Sequence, residues 1–492
     1  MTLGDLVRHL EGAELHGDPA TPVTEVSHDS RRAGPGTLFV AIRGHAADGH
    51  EFLEAARRKG AAAFASEEPP RPGAPWVRVR DAREALAVLS AALLGYPARE
   101  LELVGVTGTN GKTTTAYMVD SALRQAGETV GLLGTVEYRV GDRVAEAVRT
   151  TPEASDLQTM LRQMKDAGCR RAVLEVSSHS LVLRRVHGLE FRVAVFTNLT
   201  RDHLDFHGDM DSYFAAKRIL FDRQLREDGR AVVNVDDDRG AELARTLGRP
   251  VWTCSLRPGA DFVAEDVRLS LEGTRFRART PAGDFEVETP LLGRFNVQNA
   301  LCAFGAGLAL GLAPDAVQRG IASLKGVPGR MERIAAGQDF VVLVDYAHTD
   351  DALRSLLEAV RELKPRRLVT VFGCGGDRDK TKRPLMGAVA ARLSDVMILT
   401  SDNPRSESPE AIVDDIKRGI PPSRPPEETP VVLDRREAIA RALELGREGV
   451  VVVIAGKGHE TYQVLRDRTV PFDDRKVVRE VLSRLAGARG KG

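Results

Sequence analysis

The stretch Thr107-Gly108-Thr109-Asn110-Gly111-Lys112-Thr113-Thr114 follows the apolar run Leu101 to Val106, and its reading decides the fold. An apolar run that enters a glycine turn and then a Gly-Lys-Thr-Thr start is the pattern of strand, nucleotide phosphate loop and helix. Gly108 and Gly111 let the backbone turn its amides inward, Lys112 brings a cation to the terminal phosphates, and Thr113 offers a hydroxyl to Mg²⁺. A strict Walker A loop has glycine five residues before Gly111. This chain has Val106 there, with Gly105 one position too early.

Working outward, the pattern divides the chain into three α/β domains. Residues 1–98 alternate short apolar runs (Thr37 to Ile42, Ala61 to Ala65, Trp76 to Val79) with helical patterns from Glu51 to Arg58 and Ala82 to Leu94, a small α/β domain. Residues 99–328 form a P-loop ATPase-like domain. Strands expected at Arg171 to Val176, Val193 to Asn198, Ala231 to Val235 and Val251 to Ser255 run mostly parallel, and a hairpin pattern between Phe262 and Leu291 adds antiparallel strands. A helix from Asn296 to Leu312 precedes the linker Gly326 to Arg330. Residues 329–492 read as a doubly wound, Rossmann-like sheet with strands at Phe340 to Asp345, Leu368 to Gly373, Val396 to Ser401, Val431 to Leu433 and Val450 to Ala455. No GxGxxG follows the first of these, which argues against a dinucleotide domain.

At 492 residues the length fits about three domains. Seventy basic against seventy acidic residues leave no net field toward nucleic acid or a membrane surface. The four cysteines are far apart and form no CxxC pair, so neither a zinc knuckle nor a disulfide framework is expected. No apolar run reaches membrane-spanning length and no export signal is legible, so a cytoplasmic protein without membrane insertion is expected.

Four constellations carry chemistry. Glu175, in Glu175 to His179, ends a strand expected beside the phosphate loop; it suits Mg²⁺, or is a solvated strand-end carboxylate. Asn198 to His207 gathers Asp202, His203, Asp205 and His207. The HxxxH spacing lacks the glutamate that a zincin needs, leaving one imidazole joining carboxylates around magnesium, or ordinary surface histidines. Lys217 stands on an apolar helical stripe from Tyr213 to Phe221, where a snorkelling lysine is the usual explanation. Finally, Asp345, Gly373 to Arg378, Ser401 to Arg405 and Gly456 to Glu460 all end strands of the last domain. Arg378 and Arg405 suit carboxylates and Glu460 suits an ammonium, so an amino acid is the natural ligand.

Taken together, EVSSH (175–179), NLTRDHLDFH (198–207), YFAAKRILF (213–221), GRMER (329–333), VDYAH (344–348), FGCGGDRDKTKRPLM (372–386), DNPRSE (402–407) and AGKGHE (455–460) resemble the Mur ligases, the ATP-dependent amide-forming enzymes of peptidoglycan precursor synthesis. The shortened phosphate loop is that family's form, and the last three motifs resemble the branch that adds the third amino acid. Arg405 resembles the arginine of its meso-2,6-diaminopimelate-adding members. The resemblance implies ATP at Gly108, Thr109, Asn110, Gly111, Lys112, Thr113 and Thr114, with Asn299 and Arg330 on the adenine and phosphate sides and Asp345 as a ribose or phosphate partner. It implies two Mg²⁺ ions at Thr113, Glu175, His203 and Lys217, with Lys217 carbamylated to N6-carboxylysine; Lys112, His203 and Lys217 are the implied catalytic set. The UDP-N-acetylmuramoyl-dipeptide would meet Asp29-Ser30-Arg31, Gly44-His45-Ala46, Thr150, Thr151, Ser177 and Arg185. The added amino acid would meet Arg378, Asp402, Asn403, Pro404, Arg405, Gly456 and Glu460. Leu183 departs from the usual glutamine and Asp350 from the usual proline.

The implied reaction activates the D-glutamate side-chain carboxylate as an acyl phosphate, with ADP released, before the amine attacks. ATP would lie across a domain interface, and a monomer that closes around its substrates is expected. The competing readings are the same ligase adding L-lysine, a folylpolyglutamate synthetase-like ligase, and a nucleotide-gated binding protein without catalysis.

Overall fold

A computed structural model describes residues 1–44 and 47–489, so His45 and Ala46 lie outside the described residues. Two compact units emerge. The first comprises Met1–Leu199, His203–Phe262 and Cys302–Gly320; the second comprises Thr200–Asp202, Val263–Leu301 and the chain from Ile321 onward.

The first unit opens with a small sheet of β1 (Glu14–His16), β2 (Glu25–Ser27), β3 (Thr37–Val40), β4 (Ala63–Ser66) and β5 (Trp76–Arg78). Its order is β1-β5-β4-β3-β2, parallel except for the β1–β5 pair. Helix Ala82–Leu93 packs Leu86 and Leu89 into this core and is capped by Asp81, whose Oδ1 accepts from the amides of Arg83 and Glu84.

The rest of the unit is built on β6 (Glu102–Thr107), β7 (Val130–Leu133), β8 (Glu137–Val140), β9 (Arg143–Glu146), β10 (Arg171–Glu175), β11 (Phe191–Phe196), β12 (Leu225–Asn234) and β13 (Val251–Ser255). These run in the order β13-β12-β11-β6-β10-β7-β8-β9, with β13 through β7 parallel and β8 and β9 added antiparallel. The interior strands are buried on both faces, which is why they read as unbroken apolar runs rather than as alternation. Gly105 belongs to this packing: a Cβ there would lie 2.9 Å from the Phe191 ring. The glycine one position too early for a Walker loop therefore lets β6 take the ring of its neighbour.

In the second unit β14 (Phe262–Leu269), β15 (Thr274–Thr280) and β16 (Gly283–Thr289) form an antiparallel meander turning at Pro281, where the hairpin is expected. Farther along, β17 (Glu332–Arg333), β18 (Val341–Asp345), β19 (Arg367–Phe372), β20 (Val396–Leu399) and β21 (Val450–Ala455) form a sheet in the order β17-β18-β21-β19-β20, parallel from β18 to β20. Helices cover both faces, giving two apolar layers around Leu353 and Leu357 and around Ile439 and Val478. One expected strand is absent. Val431 to Leu433 makes a single parallel bridge from Val431 to Leu399, with Leu399 N donating to the Pro430 carbonyl at 3.0 Å and Val432 N to the Leu399 carbonyl at 2.9 Å, before the segment turns at once into the cap Asp434.

One buried ion pair ties the starts of helices Arg435–Glu444 and Asp474–Arg489 to the end of β21. Arg435 donates to Asp474 through Nε (2.8 Å) and Nη2 (2.7 Å), and Nη2 also reaches the Ala455 carbonyl at 3.0 Å. Both side chains are wholly buried. Arg435→Met leaves a lone carboxylate in the interior and is expected to cost about 3–5 kcal/mol in urea unfolding, whereas R435M with D474L should return close to the parent.

Candidate active site

Helix Lys112–Gln125 begins at Gly111, whose φ of 86° is left-handed and suits glycine. Gly108 has φ 147°, and a Cβ there would lie 1.9 Å from Thr197 Oγ1. The loop is clipped to the end of β11. Thr109 N donates to the Asn198 carbonyl and Asn110 N to Asn198 Oδ1, both at 2.9 Å, and Thr197 Oγ1 donates to the Asn110 carbonyl at 2.5 Å. Lys112 Nζ folds back on the carbonyls of Gly108 (2.9 Å) and Thr109 (2.7 Å), and Thr114 is buried on the first helical turn.

Glu175 lies beside this loop because β10 pairs with β6 in a register that sets Glu175 opposite Val106. The carboxylate is 1% exposed and takes hydrogen bonds from Thr113 Oγ1 (3.0 Å), Thr135 N (2.8 Å) and Thr135 Oγ1 (2.9 Å). Gly134 makes the cradle possible, since a Cβ there would sit 2.4 Å from Glu175 Oε1. A carboxylate held by hydroxyls beside a phosphate loop fits Mg²⁺, which keeps several waters and needs one or two carboxylates plus phosphates. Among the described residues no group of three or more His, Cys, Asp or Glu side chains forms a ready-made cage, as that mode of binding permits.

Tyr213 joins the remaining parts. Its hydroxyl is 3.2 Å from Thr109 Oγ1, its ring faces the Lys217 ammonium at 4.5 Å, and the His207 and His203 rings lie at 4.9 and 6.2 Å. Lys217 does not snorkel: it is 1% exposed and its Nζ donates to the Gly108 carbonyl at 2.8 Å. His203 sits at a left-handed residue (φ 53°) that opens the short helix Leu204–His207, and its ring packs edge-on against His179 at 4.8 Å. His207 Nε2 meets Ser178 Oγ at 2.9 Å. The structure thus brings Lys112, Thr113, Glu175, His203 and Lys217 together. Tyr213 and Thr135 complete the group, and sequence reading passed over both because a buried tyrosine and a loop threonine carry no motif signal.

Of the residues assigned to the sugar-nucleotide, Thr150, Thr151, Ser177 and Arg185 gather on the far side of Glu175. Thr135 Oγ1 meets Thr150 Oγ1 at 3.1 Å, Thr151 Oγ1 donates to the Glu175 carbonyl at 2.8 Å, and Ser177 N donates to Thr151 Oγ1 at 3.2 Å. Arg185 is held by the Thr151 carbonyl (3.2 Å) and by Glu153 (2.7 Å), and its neighbour Arg184 pairs with Asp81 (2.8 Å). Ser30 lies on the β2–β3 loop, its carbonyl accepting from Lys59 at 3.1 Å; Arg31 holds the Asp29 carboxyl down at about 2. Leu183 ends the helix Ser178–Val182.

Within the second unit, Asn299 Nδ2 bonds Asn296 Oδ1 at 3.0 Å. Asp345 accepts from the amides of Met331 and Ala347, both at 2.7 Å, and the Arg330 guanidinium lies 5.0 Å over the Tyr346 ring. Asp402, Asn403, Gly456 and Glu460 meet where β20 and β21 end. Asn403 Nδ2 donates to Glu460 Oε2 at 3.0 Å, and a Cβ on Gly456 (φ 116°) would lie 2.6 Å from Asp402 Oδ2. Arg405 Nη1 donates to the Gly376 carbonyl at 2.7 Å, and the Pro404 carbonyl would be 1.9 Å from a Cβ on Gly376. Arg378 is exposed and bonds only weakly, to the Asp377 carbonyl at 3.5 Å. Lys457, unmarked by the sequence reading, is buried between Asn403 and Glu460.

Family models match three successive segments: "Mur ligase family, catalytic domain" over residues 22–93, "Mur ligase middle domain" over 106–307 and "Mur ligase, glutamate ligase domain" over 329–458. A Solibacter usitatus protein described as UDP-N-acetylmuramoyl-L-alanyl-D-glutamate--2,6-diaminopimelate ligase is 52% identical over 94% of both chains; one of the same description from Geobacillus kaustophilus is 46% identical over 97% of this chain and 99% of its own. A solved structure of a ligase so described superposes with TM-score 0.70 at 35% identity over 99% of this chain and all of the other. A Thermotoga maritima MurF ligase in complex with ADP shares the fold, with TM-score 0.65 at 21% identity over 95% and 99% of the two chains.

The histidine cluster gives a pH signature. Burial, with the neighbouring imidazoles and Arg185, lowers His179 from 6.5 to about 4; burial, with Lys217 and His203, does the same for His207. The unfolded chain therefore takes up these protons first as pH falls, so the stability is intact above about 6.5 and drains away between 6.5 and 4. Substituting phenylalanine for both should flatten the slope of unfolding stability against pH in that window; an unchanged slope would show that these rings are solvated. Gly108→Ala should lose ATP affinity in nucleotide titration while keeping its far-ultraviolet dichroism, since the added Cβ meets Thr197 and displaces the loop.

Proposed function

The chain belongs to the Mur ligase family, and from that membership we infer an ATP-dependent ligase that joins meso-2,6-diaminopimelate to the side-chain carboxylate of the D-glutamate in UDP-N-acetylmuramoyl-L-alanyl-D-glutamate. The step belongs to peptidoglycan precursor synthesis, and the reading places the protein in the cytoplasm as a monomer. Among the described residues no helix is long and apolar enough to cross a membrane. The observation that carries the reading is the charge set at the ends of β20 and β21. The Asp402 carboxylate and Glu460 Oε1 have no hydrogen-bond partner among the described residues and suit an ammonium, while Arg405 suits a carboxylate. The far end of diaminopimelate carries both groups; that of L-lysine carries only the ammonium.

A carboxylate does not accept an amine directly, because its oxide is a poor leaving group. The D-glutamate oxygen attacks the γ-phosphorus of ATP in line, the bond from that phosphorus to the β–γ bridging oxygen breaks, and ADP departs. Lys112, released from the carbonyls of Gly108 and Thr109, balances charge on the moving phosphoryl group. Thr113, Glu175, His203 and a carbamylated Lys217 would hold two Mg²⁺ ions, which when bound neutralise charge on the phosphates. The carbamate forms when the neutral Lys217 amine takes up CO₂ and loses a proton; its nitrogen keeps one N–H, enough to retain the bond to the Gly108 carbonyl. Glu175 is oriented by Thr135, so its carboxylate needs no rearrangement before chemistry. Thr150, Thr151, Ser177 and Arg185 bind the sugar-nucleotide, joined by Ser30 and by His45 and Ala46. Asn299, Arg330 and Asp345 serve the nucleotide. The diaminopimelate amine then attacks the acyl carbon, the tetrahedral intermediate expels phosphate, and the amine loses its extra proton to leave the amide.

Purified protein given ATP and the UDP-dipeptide is expected to form ADP and phosphate in step with amide when diaminopimelate is added, and far less with L-lysine. AMP and pyrophosphate as products would overturn the acyl-phosphate step. Lys217→Ala should lose at least about 10²-fold in kcat, a loss typical of removing a charge stabiliser in phosphoryl transfer. With ¹³C-labelled CO₂ the parent should show a carbamate carbon resonance that the variant lacks.

A further inference from the structure

We propose that Lys457 is a positioning residue that sets the amino-acid preference of the second unit, by neutralising one of its two carboxylates so that the pocket suits a ligand end bearing both an ammonium and a carboxylate. This rests on the reading that diaminopimelate binds at Asp402, Asn403, Arg405 and Glu460.

The geometry is specific. Lys457 lies between Gly456 (φ 116°) and Gly458 (φ 54°), two left-handed residues that turn the chain sharply after β21. Its side chain is wholly buried, and Nζ donates to Glu460 Oε2 at 2.8 Å and to Asn403 Oδ1 at 3.1 Å. Asn403 Oδ1 also accepts from Val464 N at 2.9 Å, which fixes the amide so that Nδ2 reaches the same Glu460 oxygen at 3.0 Å. Lys457, Asn403 and Glu460 thus form a closed triangle in which the ammonium decides where the other two point. A Cβ on residue 456 would lie 2.6 Å from Asp402 Oδ2, so glycine there lets the turn pass close to that carboxylate.

The charge count follows. Asp402 and Glu460 would together present two negative charges, a pocket matched to a dication or to the bare ammonium of L-lysine. Arg435, the other buried cation near Asp402, is committed to Asp474 and to the Ala455 carbonyl. Lys457 cancels Glu460 and leaves Asp402 facing one ammonium, with Arg405 facing one carboxylate. A ligand lacking the carboxylate leaves Arg405 unmatched, and a site built to pair a polar group discriminates strongly against an analogue without it.

The test compares kcat/KM for meso-2,6-diaminopimelate and for L-lysine in the full chain. Lys457→Met is expected to raise the diaminopimelate KM about tenfold and to lower the diaminopimelate-to-lysine ratio by about the same factor, while the KM for ATP stays within about twofold. Lys457→Arg keeps a cation against Glu460, and its ratio should stay within about threefold of the parent; where Lys457→Met does not fold, Lys457→Gln, which keeps a donor but not the charge, is read in its place. Equal losses for both amino acids, an ATP KM that rises in parallel, or a K457R ratio lost as far as in K457M would overturn the role of Lys457. Arg405→Ala separates the two layers of the argument: diaminopimelate kinetics unchanged by R405A would mean that the amino acid binds elsewhere, and the site reading itself would fail.

Discussion

The catalytic arrangement depends on one buried carboxylate. Glu175 is a charged group that ends a strand after the apolar run Ala172 to Leu174, and such a group is tolerable only when its oxygens are satisfied. Three donors from Thr113 and Thr135 do this, and the two residues come from different consequences of the sheet order. Thr113 arrives because β6 and its helix lie on one side of β10; Thr135 arrives because β7 lies on the other. The parallel register of β10 between these strands is therefore what turns a sequence-distant glutamate into a neighbour of the phosphate loop.

That adjacency, though not the register, was legible in the sequence. The phosphate loop, the parallel runs and the strand-end position of Glu175 follow from apolar pattern and glycine placement, which are local signals. What was not legible is what depends on long-range fit. Gly105 looked like a displaced loop residue and is a packing position for Phe191, a contact set by the pairing of β6 with β11. Tyr213 looked like one more apolar position on a helix and is the contact shared by Thr109, Lys217, His203 and His207. Val431 to Leu433 had the composition of a strand, yet it pairs with Leu399 at one bridge only, because the chain turns at Asp434 into the next helix. The family resemblance proposed roles for Lys217 and Arg405 that residue pattern alone left open.

The two buried lysines show why pattern cannot assign such roles. Lys217 and Lys457 are both almost fully removed from water, and each interrupts an otherwise ordinary local sequence. Lys457 meets a carboxylate, so its charge is cancelled where it stands and its effect is to hold Glu460 and Asn403 in place. Lys217 donates to the Gly108 carbonyl and lies over the Tyr213 ring, contacts that tie the phosphate loop to helix Met210–Asp222. The same residue type thus acts in one unit as a fixed counter-charge to Glu460 and in the other as a tie between the phosphate loop and the helix beside it. The difference lies in what each fold brings to the nitrogen, which is set by the strand ends rather than by the sequence around either lysine.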